Sequence, residues 1–127
     1  MQIATEWFNT SVPINSMTKE LTEDNLAELI KDQPLVFVQY SAGWCGNCRI
    51  MKPKFKKFSA EIESVPFYII DSERYPKSRN LAKVDNLPTF ASFKNGECTG
   101  QIQTNKTEVL KKFIDEASSD QAHNSLH

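Results

Sequence analysis

Cys45 and Cys48 are separated by Gly46 and Asn47 and stand between a β-branched, aromatic run and an amphipathic stretch. Two thiols at this spacing fit either reversible disulfide exchange or half of a tetrahedral zinc site. A structural zinc site needs four ligands, and the core of the chain carries neither a second CxxC nor a paired-histidine motif, so redox chemistry is the expected one. His123 and His127 lie four apart in a small polar tail and read as solvated residues, so no metal is expected. Only a thiolate attacks a disulfide, and a free cysteine with a pKa of about 8.5 is mostly thiol at neutral pH. A helix N-terminus offers unpaired N–H groups and a partial positive charge, and both stabilise a thiolate. Cys45, first of the pair, is therefore expected to face solvent and act as the nucleophile. Cys48, one turn on, is expected to be less exposed and to attack the mixed disulfide.

The elements that must position this pair are legible on both sides. Thr22, with Glu23 and Asp24 after it, reads as a helix start, and Leu26, Leu29 and Ile30 give that helix an apolar stripe that Pro34 closes. Residues 35–40 (LVFVQY) are apolar on both faces, as in a buried central strand. Met51, Phe55, Phe58 and Ile62 recur at helical spacing, with Pro53 as a kink or a first-turn residue. Residues 66–70 and 89–93 read as further strands, and 76–83 as a short helix. Asn95-Gly96 marks a hairpin turn into a returning strand at 97–103. Asn105 and Glu108 then open a helix with Leu110, Phe113, Ile114 and Ala117 on one face. Strands separated by helices, followed by a hairpin, predict an α/β fold: a mixed central sheet with helices on both faces.

Composition limits the alternatives. The chain has 127 residues, 39% hydrophobic and 24% charged, enough for one domain with a core and too short for two of ordinary size. Fifteen basic against 16 acidic side chains leave a formal charge of −1, so no nucleic-acid partner is expected. No apolar run approaches the roughly 18 residues of a membrane span. The opening residues lack the charged and apolar blocks of a signal peptide, which points to the cytoplasm, where thiols stay reduced. Residues 1–17 read as an N-terminal extension, with Trp7 and Phe8 packed on the domain, and 118–127 as a flexible tail.

The segment from Tyr40 to Cys48, YSAGWCGNC, with Met51 and Pro53 following, resembles the active-site stretch of the thioredoxin family. Leu87-Pro88-Thr89 and the Lys94-Asn95-Gly96-Glu97 turn resemble the family's cis-proline loop and hairpin. The resemblance spans roughly residues 18–117 and implies a thioredoxin fold and a protein-disulfide reductase, with Cys45 and Cys48 as nucleophilic and resolving thiols. It assigns Trp44, Gly46, Asn47 and a cis Pro88 to the supporting active site, and Ile70, Leu87 and Thr104 to substrate docking. Cell redox homeostasis and electron transport would follow. The partners implied are disulfide-containing protein substrates and an electron donor like thioredoxin reductase. No bound cofactor is expected, and the protein is expected to be a monomer.

Five positions depart from the family pattern. Gln39 stands where the family commonly has a buried Asp, and Phe67 where a Lys commonly pairs with it, so water or another group must take the proton of Cys48. Asn47 replaces a common Pro and adds an N–H and an amide close to the Cys45 sulfur. Ser41 replaces a common Trp, and Thr104 falls near a common Gly. The basic run Arg49, Lys52, Lys54, Lys56 and Lys57 reads first as a solvated helix face, and Cys98 as a passive strand residue. Two other readings remain. One is an oxidase or isomerase of the same fold; the other is a binding module that holds partners through Trp44 and Pro88, its cysteines redox-inactive or weakly active.

Overall fold

The computed structural model describes the backbone of residues 18–126 and the side chains of residues 18–119. The N-terminal extension with Trp7 and Phe8, and the side chains of His123 and His127, lie outside the described residues. Among the described residues, five strands and four helices follow one another: β1 (Thr18–Glu20), α1 (Leu26–Ile30), β2 (Val36–Ser41), α2 (Gly46–Glu61), β3 (Phe67–Asp71), α3 (Pro76–Arg79), β4 (Thr89–Lys94), β5 (Glu97–Gln103) and α4 (Thr107–Leu126). The sheet order is β1-β3-β2-β4-β5. β1, β3 and β2 run parallel, while β4 is antiparallel to both β2 and β5. This is the mixed sheet the sequence predicts, with β1 added at its edge. Three residues, TKE, carry too little hydrophobic pattern to announce a strand.

Alternation along the strands sorts the core into two layers. Val36, Val38, Tyr40, Ile70, Ala91 and Phe93 pack with Leu26 and Ile30 of α1 on one face. Phe37, Phe67, Ile69 and Phe90 pack with Met51, Phe55 and Phe58 of α2 and with Leu110 and Ile114 of α4 on the other. Phe55 is the centre of that second layer, its ring centroid 4.8 Å from Phe67 and 5.6 Å from Phe90. Every β2 residue is buried, so the strand that leads into Cys45 is held on both edges and both faces.

Several local expectations are corrected by tertiary contacts. Leu29 lies outside the core stripe at 39% exposure; Leu26 and Ile30 alone bury that face. The N-cap of α1 is Asn25, not Thr22. Asp24 caps a different helix: Oδ2 accepts from Lys77 N–H at 3.0 Å, and Oδ1 from Ser78 N–H and the Ser78 hydroxyl at 2.7 Å each. Ser78 Oγ in turn accepts from Leu26 N–H at 3.2 Å, so α1 and α3 cap each other. α3 ends at Arg79, four residues short of the reading that ran to residue 83. Pro53 lies inside α2, beyond its first turn. α4 opens at Thr107, two residues past Asn105, and continues into the segment whose composition reads as a tail. At the hairpin, Asn95 (φ 51) and Gly96 (φ 89) both take the left-handed conformation of a primed turn.

Candidate active site

The site forms where the aromatic rows facing α2 give way to polar residues. Along β2 those positions run Phe37, Gln39, Ser41, and along β3 they run Phe67, Ile69, Asp71, each in register with its β2 partner. Glu20 on β1 continues the row of Ile69. Residues in register on adjacent strands share a face, so Glu20, Gln39, Ser41 and Asp71 all stand on the α2 side of the sheet. The strands end here and α2 begins.

Cys45 is the N-cap residue of α2, and its sulfur accepts a hydrogen bond from Cys48 N–H at 3.1 Å. The sulfur thus occupies the place of a capping oxygen, where N–H groups and the macrodipole favour negative charge. Cys45 and Cys48 are joined by a disulfide across that turn, with Cα atoms 5.3 Å apart. Cys45 does not face solvent as expected: it is 6% exposed, against 2% for Cys48. Turning the sulfur back onto the helix packs it against Ala42 and Leu87. Asn47 and Gly46 are exposed, and the donor to the Cys45 sulfur is Cys48 N–H rather than Asn47.

The supporting positions fall into two groups. Trp44 is 68% exposed, and its indole Nε1–H donates to Glu73 Oε2 at 2.6 Å. Glu73 carries no motif of its own, and only its place just past the end of β3 marks it. The Leu87–Pro88 peptide is cis, Pro88 is buried, and Leu87 packs against the cluster of Ala42, Cys45 and Cys48. Two residues assigned to docking are buried. Ile70 is fully buried in the α1 layer, because β3 alternation turns it to the face opposite Ile69 and Asp71. Thr104 is buried, and its hydroxyl accepts from Lys106 N–H at 3.0 Å, which commits it to the turn before α4.

Beneath Cys48 lies Gln39, fully buried. Its amide NH2 donates to the Cys48 carbonyl at 3.1 Å and to Ser41 Oγ at 3.0 Å. A carbonyl only accepts, so the amide must point its nitrogen there. Oε1 is left without a partner among the described residues. Phe67 packs on Phe37 and Phe55, where a lysine would have faced an acid. An open cavity of about 270 Å³ lies beside the sulfurs, lined in part by Ser41, Cys45, Cys48, Arg49, Lys52 and Asp71. Lys52 Nζ reaches across to Glu20 Oε2 at 3.3 Å, so the basic run is partly tied to β1.

The family model for thioredoxin matches residues 17–116. The chain belongs to the thioredoxin family. Thioredoxin H9 of Arabidopsis thaliana is 35% identical over 96 residues, 75% of this chain and 69% of that protein. Thioredoxin domain-containing protein 2 of Rattus norvegicus is 38% identical over 96 residues, 74% of this chain but only 18% of its own length. Mitochondrial thioredoxin 3 of Saccharomyces cerevisiae, in its oxidised form, superposes with a TM-score of 0.71 at 27% identity, covering 81% of this chain and 98% of that one. The thioredoxin fold and a cysteine pair at bonding distance make this thioredoxin-family chain a thiol–disulfide oxidoreductase, acting by dithiol–disulfide exchange. Among the described residues no helix is long and apolar enough to cross a membrane.

Proposed function

We propose that the protein reduces disulfides of other proteins in a reducing compartment, the cytoplasm, with Cys45 as nucleophile and Cys48 as resolving thiol. The observation that carries this reading is the Cys45 sulfur seated as the N-cap of α2 and accepting the Cys48 N–H. In the reduced protein the same donors lower the cost of a thiolate at Cys45. That thiolate attacks a substrate disulfide and releases one substrate thiolate, leaving a mixed disulfide. Cys48 then attacks Cys45 Sγ, closes the 45–48 bond and releases the second substrate thiolate. Exposed Trp44 and the Leu87 backbone before Pro88 form the docking surface, the latter suited to pairing with an extended substrate segment. Electrons return by thiol–disulfide exchange from a reductase, and no bound cofactor is required.

The test is the midpoint potential of the 45–48 couple, measured by equilibration in redox buffers, alkylation and mass spectrometry. A value near about −270 mV fits a reductase; one between roughly −180 and −120 mV assigns the protein to oxidation or isomerisation instead. Cys45→Ser abolishes reduction of a model protein disulfide on this reading, whereas a pure binding module would lose nothing it does.

A further inference from the structure

Resolution requires Cys48 to lose a proton, and Cys48 is 2% exposed with a non-titrating Gln39 beneath it. The cavity beside the disulfide is the polar space that Cys48 shares with solvent, and Ser41 and Asp71 line it with Cys48. Ser41 and Asp71 are register partners on β2 and β3, with side chains on the same face. Ser41 Oγ already accepts from the Gln39 amide, so its own O–H is left to donate away from Gln39 while its second lone pair can accept. Asp71 Oδ1 accepts from Glu73 N–H at 3.0 Å and Arg74 N–H at 3.2 Å, and Oδ2 has no partner among the described residues. A polar cavity of this size holds several waters.

We propose that Ser41 and Asp71 carry the proton away from Cys48 through this cavity, in place of a buried acid. The proposal rests on the exchange reading above. The proton leaves Cys48 Sγ, passes over the Ser41 hydroxyl and cavity water, and arrives at Asp71 Oδ2. The sulfur electron pair attacks Cys45 Sγ, the 45–48 bond forms, and the bond from Cys45 to the substrate sulfur breaks with its pair leaving on that sulfur. Asp71 returns the proton to bulk water or to the departing thiolate. The dithiol is oxidised by two electrons and the substrate disulfide is reduced by two. The other charges around this path are Glu20 on β1, held by Lys52, and Arg49 and Lys52 on α2. The two cations favour the Cys48 thiolate once it forms.

The experiment mixes the reduced protein with 5,5′-dithiobis(2-nitrobenzoate) in a stopped-flow instrument from pH 6 to 10. The first thionitrobenzoate release reports attack by Cys45, and the second reports resolution by Cys48. Asp71→Asn keeps an oxygen for the Glu73 and Arg74 N–H groups, and Ser41→Ala removes only the hydroxyl. Each slows the second release at least fivefold at pH 7, leaves the first within twofold, and rejoins the parent rate near pH 10, where hydroxide takes the proton directly. The double variant is no slower than the slower single one, as for groups that act as a unit. A second release unchanged in both variants, or slowed equally at every pH, overturns the relay. A parent protein with only one release overturns the exchange reading itself.

Discussion

Replacing Gln39 with aspartate puts a titratable group into a site fully closed to solvent, beneath a backbone carbonyl that can only accept. The shorter side chain loses the two amide hydrogen bonds to Cys48 O and Ser41 Oγ, yet a protonated carboxyl can still donate to the Cys48 carbonyl. An ionised one cannot; it would face that carbonyl oxygen with Phe67 where a cation would have to stand. Full burial of this kind raises a carboxyl pKa by roughly 3 pH units or more. At about 1.4 kcal/mol per unit, that is about 4 kcal/mol. The sign comes from a folded pKa above the unfolded one: the favourable state holds below pH ~4 and is lost as pH rises through the folded value, near 7. Urea unfolding of the oxidised protein should therefore show a small deficit for Gln39→Asp at pH 4 that grows by about 4 kcal/mol at pH 8. In the reduced protein the same carboxyl, poised near neutrality, should speed resolution by Cys48 at pH 7 about tenfold or more and make it insensitive to Asp71→Asn. A deficit equal at both pH values, or an unchanged resolving rate, would refute the reasoning.

Other perturbations act through single contacts. Asn47→Pro removes one N–H near the Cys45 sulfur and keeps the Cys48 donor, so the midpoint potential should move only roughly 6–20 mV more negative; a positive shift contradicts this. Burial costs the ionised form of Asp24 something, but the Ser78 hydroxyl and the Lys77 and Ser78 N–H groups outweigh it and hold its pKa below the usual value. Asp24→Ala should then lower the thermal midpoint at pH 7, with the gap closing as pH falls below about 3.8 and the carboxyl protonates; a gap constant from pH 7 to 2 rules out the capping role. Burial also pushes the Cys98 thiol up, more than a backbone hydrogen bond with Gly100 brings it down, so limiting iodoacetamide at pH 7.5 should label Cys45 of the reduced protein well before Cys98. Equal labelling would show that Cys98 is not the passive thiol its packing implies.

The legible parts of the sequence are those that repeat. Met51, Phe55 and Phe58 announce α2 by spacing, and Asn95-Gly96 announces the hairpin, because in both cases the cause lies within a few residues of the effect. The cysteine pair and Trp44 can be placed at the strand–helix junction for the same reason. The features that escape depend on distant partners. Asp24 looks like a first-turn acid of α1 but caps α3, more than fifty residues on, and nothing local distinguishes the two uses. Ile70, which the family resemblance assigns to docking, packs in the α1 layer, on the face opposite Asp71. Cys45 is buried in a cluster with Ala42 and Cys48, and Leu87, more than forty residues on, packs against that cluster. The cavity residues Glu20 and Asp71 gain meaning only through strand register, and Glu73 only through the Trp44 indole that reaches it.

The position of β2, paired with β3 on one edge and β4 on the other, has a consequence for how the molecule breathes. Its amides have no edge from which to fray, so their hydrogens should exchange with solvent only when the whole domain opens. Cys45 hangs from that strand by three residues, Ala42, Gly43 and Trp44, so the redox centre is tethered to the part of the chain that opens last. Cycling between dithiol and disulfide can then be confined to those three residues and the first turn of α2, while the sheet beneath stays closed. Oxidised and reduced protein should differ in deuterium uptake around residues 42–48 and match along β2, so each turnover leaves the foundation of the site where it was.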